Sequence, residues 1–322
     1  MSDTDNELIK TEEVLRPSIL ENFTGQHQAV LLLRKSVAGS ALRNEAPDHT
    51  LISGPPGLGK TTLASILARE TGGKLHSVMA PSITRAGDLA SILVSLSERD
   101  VLFLDEIHRL PPSASEMIYS AMEDFRLDIL TSDGIGAQSI SIPLPKFCLV
   151  GATTRPGMLT KAFRDRFSLK LTLVPYDYDD MTIIIKRSAQ ILEMSLDENV
   201  AYNIALRCRG TPRVANSFLR RIRDHAAYEE KDFITVDMTN EVFSTLGVDE
   251  NGLNDVDNKY LDLLKNRYRG GPVGLKTLAT ALAEDLDTVE YDIEPWLIQK
   301  GYIERTQRGR MISQEYQTAL DL

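Results

Sequence analysis

The sequence GPPGLGKT at residues 54–61 decides the fold of this chain. It fits the pattern G-x-x-x-x-G-K-[ST], in which glycines allow backbone N–H groups to close around phosphate oxygens at the N-terminus of a helix. In such a loop Lys60 supplies a positive charge for the β- and γ-phosphates, and the hydroxyl of Thr61 can ligate Mg²⁺. A glycine-rich turn without a ligand is the alternative interpretation, and the neighbouring segments disfavour it.

The segments around this loop have the strand, loop and helix order that the pattern requires. Residues 50–53 predict a short buried strand, and residues 61–69 have the apolar periodicity of a helix. A second buried strand, residues 101–104, ends in Asp105 and Glu106, at the end of a parallel strand where α/β proteins place their ligands. We therefore predict that Asp105 holds Mg²⁺ and that Glu106 polarises an attacking water. A pair of solvated acids at a strand end is the alternative.

A third buried strand is predicted at residues 147–150, and it runs into the polar sequence GATTR at 151–155. A hydroxyl at the end of this strand is suited to report on the γ-phosphate of a bound nucleotide. Thr153 and Thr154 both fit this role, and we prefer Thr154.

Two arginines flanked by aromatic residues, Arg164 and Arg166, follow these strands. A guanidinium group suits the charge that develops on a transferring phosphoryl group. Their position well after the nucleotide strands predicts that they act on the ATP of a neighbouring subunit. An ordinary surface salt bridge with Asp165 is the alternative.

Residues 126–143 have the signature of a β-hairpin. Apolar and polar residues alternate on both sides of the turn-like sequence DGIG at 133–136. Ile135 at the tip is an apolar group offered to solvent, which is either a contact for a partner protein or an exposed residue without a role.

The middle of the chain, residues 179–247, has helical periodicity. The sequence GTPR at 210–213 begins a helix, and six arginines with no acid lie between residues 207 and 223. These arginines form a solvated basic face, or else Arg213 at the helix start reaches the nucleotide as part of a lid.

The C-terminal part predicts a winged helix-turn-helix. A polar, acidic linker is predicted at residues 251–258, followed by three short helices and then by a hairpin around residues 306–309. Arg305, Arg308 and Arg310 on this hairpin suit contact with DNA phosphates or the minor groove. A protein-docking module is the alternative function of such a domain.

Composition sets the limits for these predictions. The chain has 322 residues, enough for two or three domains, with 42% hydrophobic and 25% charged residues and a net charge of −10. No apolar run approaches the ~20 residues that span a bilayer. The polar start of the chain is typical of neither a secretory signal nor a transit peptide. Two cysteines without metal-ligand spacing, Cys148 and Cys208, fit a reducing cytoplasm. The acidic balance disfavours a general nucleic-acid coat and still permits a local basic face.

Together these motifs resemble those of the AAA+ ATPases, and more narrowly those of the RuvB family of bacterial Holliday-junction branch-migration motors. The resemblance extends from Leu15 to Arg310. The strings that carry it are GPPGLGKTTLA (54–64), VLFLDEIHRL (101–110), AMEDFRLDI (121–129), GATTRPG (151–157), RDRF (164–167), GTPRVAN (210–216), GGPVGL (270–275) and EPWLIQKGYIERTQRGR (294–310).

The resemblance implies an α/β fold, with a AAA+ P-loop ATPase domain built on a parallel sheet, a small helical lid and a C-terminal winged helix. The expected domains are a disordered tail at 1–14, the large ATPase domain at 15–176 with a partner-binding hairpin at 126–143, the lid at 177–250 and the DNA-binding winged helix at 251–322.

The implied activity is ATP-driven translocation of duplex DNA, which moves Holliday junctions during homologous recombination and repair in the DNA-damage (SOS) response. The implied assembly is a cytoplasmic homohexameric ring, loaded by a RuvA-like junction-binding protein and joined by a RuvC-like resolvase in a larger complex. ATP and Mg²⁺ are the implied ligands.

Carried over position by position, the resemblance assigns site residues. The nucleotide contacts are expected to be Leu15, Arg16, Gly57, Lys60, Thr61, Thr62, Glu123, Asp124, Phe125, Tyr176 and Arg213. The catalytic residues are expected to be Lys60, Asp105, Glu106, Thr154 and Arg166, with Thr61 and Asp105 on Mg²⁺. The DNA contacts are expected to be Arg305, Arg308 and Arg310.

The sequence departs from the family pattern at two positions. Leu286, in an acidic neighbourhood, stands where the family often has another DNA-contacting arginine, and Gln307 stands in the wing turn where Pro is common. Because Pro fixes φ and Gln does not, we expect a looser turn. The DNA contact is then expected to shift toward the three arginines of the hairpin.

Two other AAA+ functions are alternatives to a DNA motor. A clamp-loader-like or regulatory switch shares the phosphate loop, the acid pair and the trans arginine, but it does not predict a basic winged helix. A protein unfoldase calls for an aromatic-hydrophobic pore loop followed by glycine, which the sequence lacks.

Overall fold

The computed structural model describes residues 14–130 and 139–320. The expected disordered tail, apart from Val14, and the proposed contact residue Ile135 lie outside these residues. Within them the chain divides into two compact units. The first holds the residues up to Ile191 together with Thr211–Arg213, and the second holds Leu192–Gly210 and the chain from Val214 onward.

The first unit contains a five-stranded sheet with the strand order β2-β3-β6-β1-β7, in which every pair is parallel. The three strands predicted to precede the phosphate loop, the acid pair and the threonines are all present. The strand β2 was not predicted, because its residues are only half buried and give no continuous apolar run. The strands are β1 (Thr50–Ser53), β2 (Leu75–Met79), β3 (Val101–Asp105), β6 (Cys148–Thr153) and β7 (Leu169–Thr172).

Helices surround this sheet. The helix that follows the phosphate loop buries Leu63, Ile66 and Leu67 completely or nearly so, and each such side chain contributes about 1.5–3 kcal/mol. Gly72, with φ 73°, ends this helix in the left-handed conformation that glycine adopts without strain. The helices of this unit are α1 (His27–Arg43), α2 (Lys60–Thr71), α3 (Ala86–Val94), α4 (Pro112–Glu123), α5 (Lys161–Asp165) and α6 (Tyr178–Ile191).

The central strands are buried on both faces, which is why they read as continuous apolar runs. Every residue of β6 is buried, as are the first four of β3. Leu102, Leu104 and Leu149 belong to one core cluster with residues of α3 and α4. This packing fixes the ends of the strands and therefore the positions of the polar residues that follow them.

A separate antiparallel hairpin leaves this unit after α4, as predicted. Its strands are β4 (Arg126–Leu130) and β5 (Ser139–Pro143), with Arg126 opposite Pro143. Leu127 is fully buried in the core cluster and anchors the base of the hairpin.

The second unit is mainly helical, as its periodicity predicts. Its helices are α7 (Val200–Arg207), α8 (Pro212–Tyr228, whose first two residues belong to the first unit), α9 (Val236–Thr245), α10 (Asp255–Asp262), α11 (Leu275–Leu282), α12 (Leu286–Thr288), α13 (Glu294–Gln299) and α14 (Gln314–Leu320). Two short parallel strands, β8 (Ser195–Leu196) and β9 (Phe233–Ile234), pair with each other.

The predicted linker at 251–258 is wrong in its second half, because residues 255–258 begin a helix. Asn254 caps α10 by accepting hydrogen bonds from the backbone of Val256 and Asp257, and the Asp257 carboxylate accepts from the backbone of Asn254 in return. Such a capping box satisfies backbone donors that the helix leaves free. Leu253 beside it is buried.

The C-terminal part has the predicted three helices and wing. The helix α10 continues through a π-helical turn at Leu263–Arg267, and a π-helical turn at Val289–Ile293 joins α12 to α13. The wing is the antiparallel pair β10 (Ile303–Thr306) and β11 (Gly309–Ile312). These elements share one core, which includes Tyr260, Leu264, Leu278, Val289, Leu297, Ile303 and Ile312.

Candidate functional site

The phosphate loop is held in the conformation that the motif needs. Gly57 and Gly59 have φ values of 79° and 103°, and α2 begins directly after Gly59. The Lys60 Nζ donates to the backbone oxygens of Gly54 and Pro55, both at 2.8 Å. The loop therefore curls around its own lysine, with the backbone N–H groups of the helix start facing the same space.

The strands β1, β3 and β6 lie side by side, and the polar residues that follow them meet where the strands end. We call this side the carboxyl-terminal edge of the sheet. Because β6 pairs with both β1 and β3, Thr154 lies between the phosphate loop and the acid pair. Adjacent strands are about 4.8 Å apart, so the loop and the acids are separated by roughly 10 Å. This spacing leaves room for the phosphates of a nucleotide between them.

Glu106 has a strained backbone conformation, and its side chain contacts Thr154 and His108. Its φ is 52°, in the left-handed region that costs a residue with a side chain about 1–2 kcal/mol. Its Oε2 accepts a hydrogen bond from the Thr154 Oγ1 at 3.2 Å and lies 3.2 Å from the His108 Nδ1. Thr153 is fully buried and its hydroxyl lies 2.9 Å from the same His108 nitrogen. Of the two threonines, Thr154 is the one that contacts Glu106.

Burial shifts the pKa values of the charged groups at this edge of the sheet. Desolvation raises the pKa of Asp105 above its ordinary value, opposed by the backbone N–H of Glu106 and by Lys60. Desolvation likewise lowers the pKa of Lys60, and the carboxylates of Asp105 and Glu106 oppose that change. The lysine and the two acids therefore sit close enough to stabilise each other's charges.

The segment Thr211–Arg213 lies against the phosphate loop. A Cβ added to Gly57 would come within 2.7 Å of the Thr211 Cγ2 and 3.0 Å of the Arg213 Cβ. Arg213 also lowers the pKa of Lys60 through its charge. The predicted lid arginine therefore lies beside the phosphate loop.

The other side of the loop is lined by Tyr176. Its hydroxyl donates to the Leu58 backbone oxygen at 3.3 Å, and a Cβ on Gly59 would lie 3.0 Å from Phe23. Leu15 is buried, whereas Arg16 is exposed. Arg187 on α6 fastens this region, because its guanidinium donates to the backbone oxygens of Asn22 at 2.6 Å and Leu15 at 3.4 Å.

Three predicted nucleotide contacts, Glu123, Asp124 and Phe125, and the predicted catalytic residue Arg166 lie at the opposite edge of the sheet, where the strands begin. Arg166 directly follows α5, shortly before β7 begins at Leu169, and its Nε lies 3.2 Å from the Glu123 Oε1. Phe125 packs beside Phe147 and His49, which precede β6 and β1. The four residues of β1 span about 13 Å at 3.3 Å each, so this edge lies at least that far from the phosphate loop of the same chain. Asp124 is exposed and pairs with Arg126 at 3.2 Å.

Arg166 is preorganised at this edge. Its guanidinium stacks over the Tyr119 ring at 4.5 Å, and its Nη1 donates to the Ala162 backbone oxygen at 3.0 Å. Its side chain is one quarter exposed. The alternative salt bridge with Asp165 is not formed by Arg166, because Asp165 pairs with Lys170 at 3.1 Å.

The predicted DNA contacts lie on the wing. Arg305 and Arg310 are directly opposite each other on β10 and β11, and Arg308 is exposed in the turn. The Thr306 hydroxyl accepts from the Arg308 backbone at 3.2 Å and donates to the Gly309 oxygen at 2.9 Å, so two hydrogen bonds hold the turn that contains Gln307. Leu286 is 46% exposed in the first turn of α12 and offers no positive charge there.

Several residues that matter at these sites were missed from the sequence. His108 follows the acid pair by two residues and could have been found from that spacing. Arg187 contacts a segment more than 160 residues away, and no local pattern signals it. Glu290 and Glu294 hold the wing arginines, although their sequence neighbourhood resembles an ordinary acidic helix face.

The strand order, the phosphate loop and the strand-end acids together define a P-loop ATPase of the AAA+ class. The family model "Holliday junction DNA helicase RuvB P-loop domain" matches residues 15–173, "RuvB AAA lid domain" matches residues 176–249, and "RuvB C-terminal winged helix domain" matches residues 250–321. The chain belongs to the RuvB family of Holliday-junction DNA helicases.

Individual relatives agree with this membership. The chain is 49% identical to the Holliday junction branch migration complex subunit RuvB of Orientia tsutsugamushi strain Ikeda, over 94% of this chain and 93% of that protein. The protein of strain Boryong is 48% identical over the same shares. The solved structure of the Thermotoga maritima RuvB Holliday junction branch migration motor has a TM-score of 0.85 at 40% identity, covering 96% of this chain and 98% of that one.

The chain is therefore an ATP hydrolase of the helicase class that drives branch migration of Holliday junctions in DNA recombination and repair. The clamp-loader-like switch is excluded by this membership. Among the described residues, no helix combines the length and apolar character needed to cross a membrane.

Proposed function

We propose that this chain works as a cytoplasmic homohexameric ring in which each ATP is hydrolysed between two subunits. The observation that carries this proposal is the division of the nucleotide machinery between two edges of one sheet. The phosphate loop and the acid pair occupy one edge, and Arg166 occupies the other, about 13 Å away or more. A head-to-tail ring brings the second edge of one subunit to the first edge of the next.

At the first edge, Lys60 leaves its two loop oxygens to contact the β- and γ-phosphates of ATP. Glu106 orients the attacking water, and Thr154 fixes the direction of the Glu106 carboxylate through its hydroxyl. Thr154 is then positioned to respond to the presence of the γ-phosphate.

We assign Mg²⁺ to the Thr61 hydroxyl and the Asp105 carboxylate. Both are oxygen donors beside the phosphate loop, and Mg²⁺ in such sites takes its other ligands from phosphates and water. In residues 14–130 and 139–320, no group of three or more His, Cys, Asp and Glu side chains is placed to hold a metal alone, which fits a site completed by the substrate. The ion would neutralise charge on the phosphate oxygens.

The remaining nucleotide contacts surround the loop. Leu15 and Arg16 are assigned to the adenosine because Arg187 fastens their segment close to the loop. Tyr176 contacts the loop from the same side. Gly57 and Thr62 are assigned to the phosphates, and Arg213 to the γ-phosphate side, since it lies over Gly57.

The second edge completes the site of the neighbouring subunit. Arg166 stabilises the charge that develops on the transferring phosphoryl group. Glu123, Asp124 and Phe125 lie beside it and contact the same nucleotide. The ion pair between Glu123 and Arg166 holds the guanidinium at the surface that faces the neighbour.

The contacts with DNA and with partner proteins are assigned to the winged helix and to the hairpin. The winged helix at 251–322 contacts duplex DNA through Arg305, Arg308 and Arg310. The hairpin at 126–143 contacts a RuvA-like junction-binding protein, and a RuvC-like resolvase joins the larger complex. The names of the Orientia relatives, each called a subunit of a branch migration complex, support this assembly.

The test is ATP-dependent dissociation of a synthetic four-way DNA junction, with and without a RuvA-like partner. The wild-type chain with the partner should dissociate the junction, and Lys60→Ala should not. Lys74→Ala is the matched control, because it removes the same charge far from the loop, and it should behave as the wild type. Hydrolysis of ATP without any junction dissociation in the presence of the partner would contradict the motor assignment.

A further inference from the structure

The wing carries an arrangement of charges that the assigned DNA contacts do not explain. Arg305 and Arg310 are cross-strand partners, and like charges directly opposite each other destabilise a strand pair. Both guanidinium groups nevertheless lie side by side, with side chains 39% and 16% exposed. Some other group must compensate their repulsion.

Glu294 provides this compensation from α13. Its side chain is fully buried, and its two oxygens are divided between the arginines. Oε2 accepts from the Arg305 Nε at 2.8 Å, and Oε1 accepts from the Arg310 Nε at 2.9 Å. The Tyr260 hydroxyl donates to the same Oε1 at 3.1 Å. Each oxygen of this buried carboxylate therefore has at least one donor, and the carboxylate holds both arginines in fixed rotamers.

The outer guanidinium nitrogens meet a second acid at the rim. The Oε1 of Glu290 lies 3.5 Å from the Arg305 Nη1 and 3.5 Å from the Arg310 Nη2. The Glu290 side chain is 30% exposed, and both contacts are long. Partly exposed pairs of this length contribute little to stability, so a stronger anion can displace the carboxylate. One carboxylate oxygen shared between two guanidinium groups is also the place that a phosphate oxygen would take.

We propose that Glu294 is a positioning residue that presents Arg305 and Arg310 as one phosphate-binding pair, and that Glu290 occupies this pair as an internal competitor of the DNA phosphate. The inference rests on the proposed DNA contact of the wing. The two acids have opposite consequences: Glu294 increases the affinity for duplex DNA, and Glu290 decreases it. A weak, replaceable contact with each phosphate suits a motor that must release DNA in every cycle.

The experiment measures binding of the full chain to a fluorescent DNA duplex by anisotropy, with a slowly hydrolysed ATP analogue and Mg²⁺, over a series of salt concentrations. Glu290→Gln should bind roughly three- to tenfold more tightly, because the phosphate then no longer has to displace a carboxylate from the arginine pair. Asp292→Asn is the matched control, since it removes the same charge from an exposed position of the same helical run. It should change the affinity less than about twofold.

Glu294→Gln should weaken binding about threefold or more although it also removes a negative charge, because the arginines lose their fixed orientation. If this variant unfolds, the comparison of Glu290→Gln with Asp292→Asn still decides the inference. Equal affinities of those two variants would overturn it.

Two further variants separate this inference from the proposed DNA contact. Arg305→Ala with Arg310→Ala should weaken DNA binding strongly, and adding Glu290→Gln to that double variant should give no gain. Unchanged binding of the double variant would refute the DNA contact itself. Weakened binding of the double variant together with no effect of Glu290→Gln would refute the competition alone.

Discussion

Arg166→Ala should abolish ATP hydrolysis in a ring made only of this variant, yet leave each subunit able to hydrolyse ATP beside a different neighbour. Arg166 lies at the edge of the sheet opposite to its own phosphate loop, and the length of β1 separates these two edges by about 13 Å or more. Loss of an arginine that stabilises the transferring phosphoryl group lowers kcat by about 10³-fold or more. The defect should therefore be corrected by an intact arginine from the adjacent subunit.

The amount of ATP hydrolysis restored in a mixed ring follows from which subunits are neighbours. Glu106→Gln subunits keep Arg166 but lack the water-orienting acid, so they are inactive alone. An active interface in a mixed ring needs a Glu106-intact site next to an Arg166-intact subunit. At equal amounts with random assembly, about one quarter of the interfaces satisfy this condition. Activity should follow a bell-shaped curve against the mixing ratio, with its maximum near equal amounts.

The assay is steady-state ATP hydrolysis at constant total protein with junction DNA. Arg164→Ala is the comparison variant that separates the two arginines of this segment, because the half-buried Arg164 side chain donates to the Pro156 oxygen of its own subunit at 3.3 Å. Mixtures of Arg164→Ala with Glu106→Gln should lose activity steadily as the inactive subunit increases. If labelled Arg166→Ala and Glu106→Gln subunits assemble together but no ratio restores hydrolysis, the arginine acts within its own subunit or only supports the fold.

Three further changes test single contacts. Thr154→Val should lower kcat for ATP hydrolysis about tenfold or more, with nucleotide affinity within about threefold, because it removes the hydroxyl that orients Glu106; single-turnover hydrolysis and nucleotide titration measure the two. Burial holds the pKa of His49 below its unfolded value, so only the unfolded chain binds a proton there as the pH falls. Below about pH 6.5, the free energy of unfolding should decrease by up to about 1.4 kcal/mol per pH unit. In urea titrations, His49→Gln should remove this part of the pH dependence. Asp257→Ala should destabilise the second unit by about 3–5 kcal/mol, because it leaves the Arg209 guanidinium without its buried partner.

For each of these three predictions, one result would contradict it. A Thr154→Val enzyme with unchanged kcat would show that the hydroxyl does not orient the acid. Equal pH slopes for the wild type and His49→Gln would show that this ring is not the group that binds the proton. For the buried pair, the exposed Asp255→Ala is the control, and equal unfolding free energies of the two variants would refute the role of burial.

The sequence predicted the strands and the hairpin correctly where burial requires a regular pattern of apolar residues. The runs before the phosphate loop and before Asp105 are strands, because a parallel strand covered on both faces must be apolar throughout. The hairpin was predicted with its observed limits, since alternation and turn residues are both local signals. The strand Leu75–Met79 was missed because it is only half buried, and the linker before α10 was wrong because cap residues are as polar as linker residues.

The sequence alone determined the chemistry of this protein, because the phosphate loop, the acid pair and the wing arginines are each contained in a few consecutive residues. Only the tertiary structure decided how these groups are combined. The strand order places Thr154 between the loop and the acids, and Arg166 lies before the start of β7, at the edge of the sheet away from its own phosphate loop. Packing of α13 against the wing likewise put the acidic side chain of Glu294 beneath two arginines. These relations join residues that are distant in the chain or lie on different elements, and no local pattern encodes which of them will meet.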